Sequence, residues 1–201
     1  MPDDPAEAII GLYARHAEAW ARDRGDRLIE GAWFDRFHDL LPERGSVLDL
    51  GCGSGMPIAG HLIGHGHRIT GVDTAPGLLA LCRARFPDKV WIGADMRGLV
   101  LGRQFDGVLA WDSLFHLRHD DQRAMFTVIG SHAAPDAVLM FTSGPAHGVA
   151  LGSYGGETLF HASLDPAEYR ALLAAQGFTV AGHVAEDPDC GGRTVWLARR
   201  D

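Results

Sequence analysis

Apolar residues recur at helical spacing from the start of the chain, in Ile9, Leu12, Tyr13, Ala17 and Trp20, which predicts a helix over residues 5–21. A second helical stretch covers residues 26–41 with Leu28, Ile29, Trp33, Phe34, Phe37 and Leu41. Gly25 parts the two, and Pro42 follows the second closely. The texture then changes to short apolar runs alternating with helical periods. Strands are predicted over 46–50, 68–72, 90–92, 105–110 and 137–141. Helices are predicted over 57–65, 76–85 and 120–133, the middle one with Pro76 in its first turn. Asp165-Pro166 opens a further helix ending near Gln176-Gly177, where glycine suits the position past a helix C-terminus. Two more strands follow over 178–184 and 193–198. The link 185–192 is too short for a helical crossover, so these two should pair antiparallel. Strands alternating with helices predict an α/β fold: a doubly wound, mostly parallel sheet with helices on both faces.

The chain has 201 residues, 46% hydrophobic and 22% charged, enough for one domain with a full core. It lacks a run of about 18 apolar residues, so no membrane span is expected. Its opening Met-Pro-Asp-Asp lacks the basic and apolar regions of a secretory signal, which leads us to expect a cytoplasmic protein. Cys52, Cys82 and Cys190 are too few and too scattered for a disulfide framework or a zinc site. The net charge of −8 and the absence of a basic stripe do not favour nucleic acid as a partner. Among 11 histidines, His61, His65 and His67 gather at the end of a predicted helix. A metal reading would need carboxylate or thiolate partners that this segment lacks, so no metal is expected.

The most informative segment is Ser46-Val-Leu-Asp-Leu50 followed at once by Gly51-Cys-Gly-Ser-Gly55. Glycines let the backbone turn sharply and let a ligand approach without meeting a Cβ. In an open parallel sheet such a loop lies at the carboxyl edge, where ligands bind. Asp73 ends the second strand, 20 residues beyond Gly53, where a carboxylate can accept from both hydroxyls of a ribose. A dinucleotide fingerprint would need glycine where Met56 stands, and a phosphate-binding P-loop would need Gly-Lys-Ser/Thr where Met56-Pro57-Ile58 stands. Neither pattern closes, and a tight turn of purely structural purpose also fits the glycines alone.

The series as a whole resembles the class I S-adenosylmethionine-dependent methyltransferases over roughly residues 46–199. Val47-Leu-Asp-Leu-Gly-Cys-Gly-Ser-Gly55 looks like that family's first motif, and Gly71-Val-Asp73-Thr74 like the acidic end of its second strand. Gly93-Ala-Asp95-Met96 is similar to its adenine-binding segment. The run from Phe105 through Trp111-Asp112-Ser113 to His116-Leu117 is similar to its fourth-strand motif. Leu172 to Phe178 and Arg193 to Ala198 match its late helix–strand junction and final strand. The resemblance implies a seven-stranded Rossmann-like sheet with an antiparallel last strand. Residues 1–44 would form an N-terminal helical cap and 45–201 the core of a single domain. It implies S-adenosylmethionine as cofactor and S-adenosylhomocysteine as product.

The same resemblance gives Asp49, Gly51, Cys52, Gly53, Gly55, Asp73, Thr74, Asp95, Met96 and Trp111 as cofactor-binding candidates. Asp49, inside a buried strand, should be hydrogen-bonded to loop N–H groups or water, close to a ligand ammonium. A structural brace for the loop is an equal reading. Tyr13 and Trp20 share a helical face and Arg24 follows that helix. We expect this unit to fold over the cofactor, Arg24 or Tyr13 holding its carboxylate; otherwise the aromatics are packing residues and Arg24 is solvated. His116 is the candidate general base by its intrinsic pKa, against the alternative of a neutral, hydrogen-bonded histidine at a helix start. Residues 144–163 are long for a connection and predict a wall or lid for the acceptor. Asp112, Tyr154 and His161 are candidate substrate-lining residues.

Methyl transfer to a small-molecule nucleophile (N, O or S) is the leading expectation, from a monomer or homodimer. A protein or RNA acceptor would need an extended or basic groove. A silent S-adenosylmethionine-binding module would be expected to have lost part of the motif, and a nicotinamide oxidoreductase lacks its third glycine at Met56.

Overall fold

The computed structural model describes residues 4–201. Helices α1 (Pro5–Arg24) and α2 (Gly31–Leu40) precede β1 (Ser46–Leu50), α3 (Ile58–Gly64), β2 (Arg68–Asp73), α4 (Pro76–Arg85), β3 (Val90–Gly93) and β4 (Phe105–Ala110). Then come α5 (His119–His132), β5 (Ala133–Ser143), β6 (Gly148–Tyr154), β7 (Glu157–Ser163), α6 (Pro166–Ala175), β8 (Phe178–Asp187) and β9 (Arg193–Arg200). Seven strands form one sheet in the order β3-β2-β1-β4-β5-β9-β8. β1 runs parallel to β2 and β4, β2 to β3, and β4 to β5, while β9 lies antiparallel to both β5 and β8. The expected α/β architecture, seven strands and antiparallel last strand are therefore present.

The central strands are apolar on both faces because both faces are covered. Leu48, Leu50, Leu139 and Phe141 pack with Phe126 and Ile129 of α5 and with Tyr169 and Leu173 of α6. Val47, Leu109, Val138 and Met140 point the other way, onto Phe34 and Phe37 of α2, Leu62 of α3 and Leu79 of α4. The helix ends follow local chemistry. Asp4 caps α1 through Ala6 N–H at 2.8 Å, and Asp165 caps α6 through Ala167 N–H at 2.8 Å. Gly177, past α6, takes φ +76°.

The structure differs from the sequence-based expectations at four places. Residues 26–30 do not join α2, although Leu28 and Ile29 keep the apolar period; Ile29 is 44% exposed. The helix predicted over 120–133 begins at His119, with Arg118 at the cap position. The two N-terminal helices do not form one cap. α2 belongs to the core layer, whereas α1 lies outside it, with Ala17 on Ala75 and Leu78 and Ile9 on Phe160.

Within the 144–163 segment, predicted as a loop forming a wall or lid, residues 148–163 fold as the hairpin β6–β7, paired antiparallel from Gly148↔Ser163 to Tyr154↔Glu157. Gly155 and Gly156, at φ +59° and +80°, make its two-residue turn. β6 is nearly all exposed and rich in Gly, Ala and Ser, so no polar–apolar alternation announces it.

Gly71 tests the sheet packing. A Cβ there would stand 2.4 Å from the Trp91 ring and 2.7 Å from Cys52 Sγ. Overpacking of this kind costs about 1–3 kcal/mol. Gly71→Ala is expected to lower the thermal midpoint by about 2–12 °C, at about 2–4 °C per kcal/mol for a chain of this size. A calorimetric scan within 1 °C of the parent would contradict the packing described.

Candidate active site

The carboxyl ends of β1, β2, β3 and β4 open on one side of the sheet, and the loop after β1 is shaped by its glycines. Gly51, Gly53 and Gly55 take φ +78°, +55° and +75°, and a Cβ on Gly51 would meet that of Ser113 at 2.4 Å. The N–H groups of Gly51 and Cys52 donate to Val72 O at 2.8 and 3.0 Å. Asp73 completes the tie: its carboxylate accepts from Gly53 N–H and Ala75 N–H, both at 2.9 Å. Burial raises its pKa, and these backbone N–H groups pull it back. The loop and the carboxylate expected to act together are thus in direct contact.

One cleft is lined by Tyr13, Trp20, Arg24, Asp49, Gly51, Cys52, Gly53, Asp73, Thr74, Asp95, Met96, Trp111, Asp112 and His116. It gathers every candidate cofactor residue except Gly55, which sits behind the loop against Cys82 and Trp91. α1 forms one wall, and the Trp20 ring lies 2.9 Å from where a Cβ on Gly53 would be. A second cavity adjoins the cleft and shares Tyr13, Trp20, Arg24 and Asp112 with it. It continues past Phe115, His161 and the β6 residues Val149 and Ala150.

Asp49 departs from its expectation. It is 4% exposed, yet among the described residues no loop N–H reaches its carboxylate. Burial, then the neighbouring Asp73, pushes its pKa up to about 7. Its burial cost would be relieved by a donor reaching it from the cleft that it lines. Asp95 is engaged differently. Arg97 holds it through Nε at 3.1 and 3.0 Å and Nη2 at 2.6 Å, and its pKa is lowered by that contact.

Arg24 is not solvated: its guanidinium donates to Glu30 Oε1 at 2.8 Å, and the Glu30 side chain is fully buried. Arg193 reaches the same oxygen at 3.3 Å and clamps Asp112 through Nε at 2.9 Å to each oxygen and Nη2 at 2.7 Å. Neither Glu30 nor Arg193 was a candidate from sequence: Arg193 lines the second cavity, and Glu30 ties it to Arg24 from behind. Asp112, at φ +48°, also receives the Thr142 hydroxyl at 3.4 Å.

His116 is 7% exposed and Nδ1 lies 2.9 Å from Phe160 O. A carbonyl only accepts, so Nδ1 carries the proton and Nε2 accepts from the Tyr13 hydroxyl at 2.9 Å. Burial lowers the His116 pKa to about 4. The geometry fits a neutral, hydrogen-bonded histidine and opposes a general base. His161 packs on His116 at 4.9 Å between ring centroids and lines the second cavity. Tyr154, expected to line the substrate site, lines neither cavity. Its hydroxyl donates to Asp23 of α1 at 2.9 Å. Tyr154 sits at the turn end of the hairpin, which reaches back to α1. Glu157 pairs there with Arg15 and, at 2.8 Å, with His16.

A sheet of this order with a glycine loop, an acidic β2 end and a ligand cleft at its carboxyl edge is that of the Rossmann-like class I methyltransferases. Residues 47–136 match the family model of a methyltransferase domain. It is 32% identical over 154 residues to the dTDP-3-amino-3,6-dideoxy-alpha-D-glucopyranose N,N-dimethyltransferase of Streptomyces fradiae, covering 70% of this chain and 59% of that one. The chain thus spans less than two thirds of that relative's length. The 1,6-didemethyltoxoflavin-N1-methyltransferase of Burkholderia thailandensis, solved with its substrate and S-adenosylhomocysteine, superposes with a TM-score of 0.77. That match covers 100% of this chain and 92% of the other at 21% identity. An amino pentose methyltransferase from Micromonospora echinaspora, solved with S-adenosylmethionine, gives 0.70 over 92% and 96% at 23% identity. Among the described residues no helix is long and apolar enough to cross a membrane.

The lone Asp49 carboxylate sets a pH test. Its folded pKa of about 7 lies above the unfolded value of roughly 3.9. The stability it contributes is therefore full below about pH 4 and lost as pH rises through 7. Asp49→Asn, neutral throughout, is expected to raise the melting temperature of the ligand-free chain by several degrees at pH 8 relative to its effect at pH 5. An equal effect at both pH values would refute the assignment.

Proposed function

We propose that the chain transfers a methyl group from S-adenosylmethionine to a small-molecule nucleophile by in-line displacement, leaving S-adenosylhomocysteine. The carrying observation is that the glycine loop, Asp73 and the unpartnered Asp49 share one cleft that runs past Asp112 into a second cavity. The residues fit the cofactor. Gly51 offers bare backbone where a Cβ has no room, and Asp49 offers a carboxylate to an α-ammonium group. Each Asp73 oxygen keeps a lone pair for ribose hydroxyls beyond the N–H it already accepts. Asp95 and Met96, on the cleft wall, are the residues that would read adenine, with Arg97 fixing the orientation of the Asp95 carboxylate. When bound, S-adenosylmethionine supplies a methyl on a sulfonium whose departure leaves a neutral thioether.

The protein's work is then to hold an acceptor lone pair in line and to keep water out. α1 roofs the cleft with Tyr13 and Trp20. His116 acts as a positioning residue: its Nε2 fixes the Tyr13 hydroxyl at the junction of the two cavities. Arg193 fixes Asp112 at the same junction. The acceptor would occupy the second cavity, with the β6–β7 hairpin as its outer wall. Relatives whose names specify small acceptors support a small acceptor here.

Thermal shift and titration calorimetry with S-adenosylmethionine, S-adenosylhomocysteine, NAD and NADP test this reading. The two adenosyl compounds should stabilise the chain and the nicotinamides should not, since only a ligand favouring the native state raises its midpoint. Asp49→Asn should weaken S-adenosylmethionine binding about tenfold or more, the scale of a lost charge-assisted hydrogen bond. Stabilisation by NAD alone would end the proposal.

The wall makes a separate claim. Glu157→Ala, which frees the hairpin from Arg15 and His16, should raise KM for the acceptor several-fold while S-adenosylmethionine affinity stays within twofold. Unchanged acceptor kinetics would remove the hairpin from the site.

A further inference from the structure

On the face of the protein behind the loop helix, α2 and α3 bring together the carboxylate that the sequence around His61–His67 lacks. Asp35 of α2 places Oδ1 3.3 Å from His61 Nε2 of α3. That nitrogen is buried and has no hydrogen-bond partner among the described residues. His65 stands at the C-terminal end of α3, one turn beyond His61. Its Nδ1 lies 3.0 Å from His61 O, so the proton sits on Nδ1 and the Nε2 lone pair is free. One donor atom from each of Asp35, His61 and His65 lies within 4.8 Å of the other two.

We propose that Asp35, His61 and His65 form a binding site for a divalent cation of the zinc class, stapling α2 to α3. Donors on a tetrahedral ion at bond lengths of about 2.0–2.1 Å stand about 3.3–3.4 Å apart, which is the spacing of His61 Nε2 and Asp35 Oδ1. An imidazole that ligates through one nitrogen and donates from the other to a main-chain carbonyl is the usual arrangement around such ions, and His65 has it. Two imidazoles and a carboxylate leave a fourth position for water, and that donor set suits zinc or its late first-row neighbours rather than magnesium or calcium. A second histidine pair braces the site: the His38 ring is 4.4 Å from that of His65, and His38 Nδ1 is 2.8 Å from His67 Nε2. The staple would fasten the helix that follows the glycine loop to the helix that precedes β1, away from the ligand cleft, so it stands apart from methyl transfer.

The test uses the tag-free chain, freed of metal with a chelator and titrated with zinc sulfate by calorimetry, with thermal melting alongside. One equivalent should bind with a Kd in the micromolar range or below and raise the melting temperature. Cobalt(II) in its place should give visible absorption of tetrahedral intensity. His65→Gln and Asp35→Asn, both at exposed positions that leave the core intact, should each weaken zinc at least tenfold. Failure to saturate, or parent-like affinity and stoichiometry in both variants, would overturn the site.

Discussion

The short bonds from Gly53 and Ala75 N–H to the Asp73 carboxylate hold the rest of the site in register. They join the loop after β1 to the first turn of α4 through one side chain at the end of β2. The loop can be held this way only because its glycines accept positive φ, and because Val72 O takes the two N–H groups ahead of it. Once the loop is pinned, Asp49 is left facing the cleft with no donor among the described residues, and on the proposed reading the energetic cost of that burial becomes ligand affinity. Stability and binding pull in opposite directions at a single carboxylate, as they commonly do where a site is prepared for a charge that arrives with the ligand.

A second constraint runs at right angles to the first. Arg24, Glu30, Arg193 and Asp112 form a relay of ion pairs from the end of α1 to the start of β9 and on to the residue beyond Trp111. Glu30 is completely buried, so its charge is tolerable only with a guanidinium on it, and two are within reach. The relay links the roof helix to the junction of the two cavities. Movement of α1 would therefore be felt where an acceptor would sit.

Much of this was legible in the chain because the chemistry is local. Ser46 to Gly55, the acidic end at Asp73, the capped start at Asp165 and the glycine at 177 each specify a backbone shape within a few residues. What escaped was tertiary. Glu30 and Arg193 are 163 positions apart and meet only in the fold. Asp35 meets His61 only because α2 lies on the core rather than in a detached cap. β6 hid because a strand with one bare face and small side chains has no reason to alternate. Tyr154 was a reasonable wall residue by type, but the hairpin's twist delivers its hydroxyl to Asp23.

The position of β9 governs when the machinery becomes whole. It is made after every other strand of the sheet, yet it fills the gap between β5 and β8 and pairs with both. Until it inserts, β5 and β8 are open edges, and Asp112 lacks the guanidinium that fixes it. Chain synthesis runs at about 5–20 residues per second, so β5 exists for some seconds as an unpaired edge before the residues of β9 are made. Completion of the sheet and arming of the site are thus a single late event.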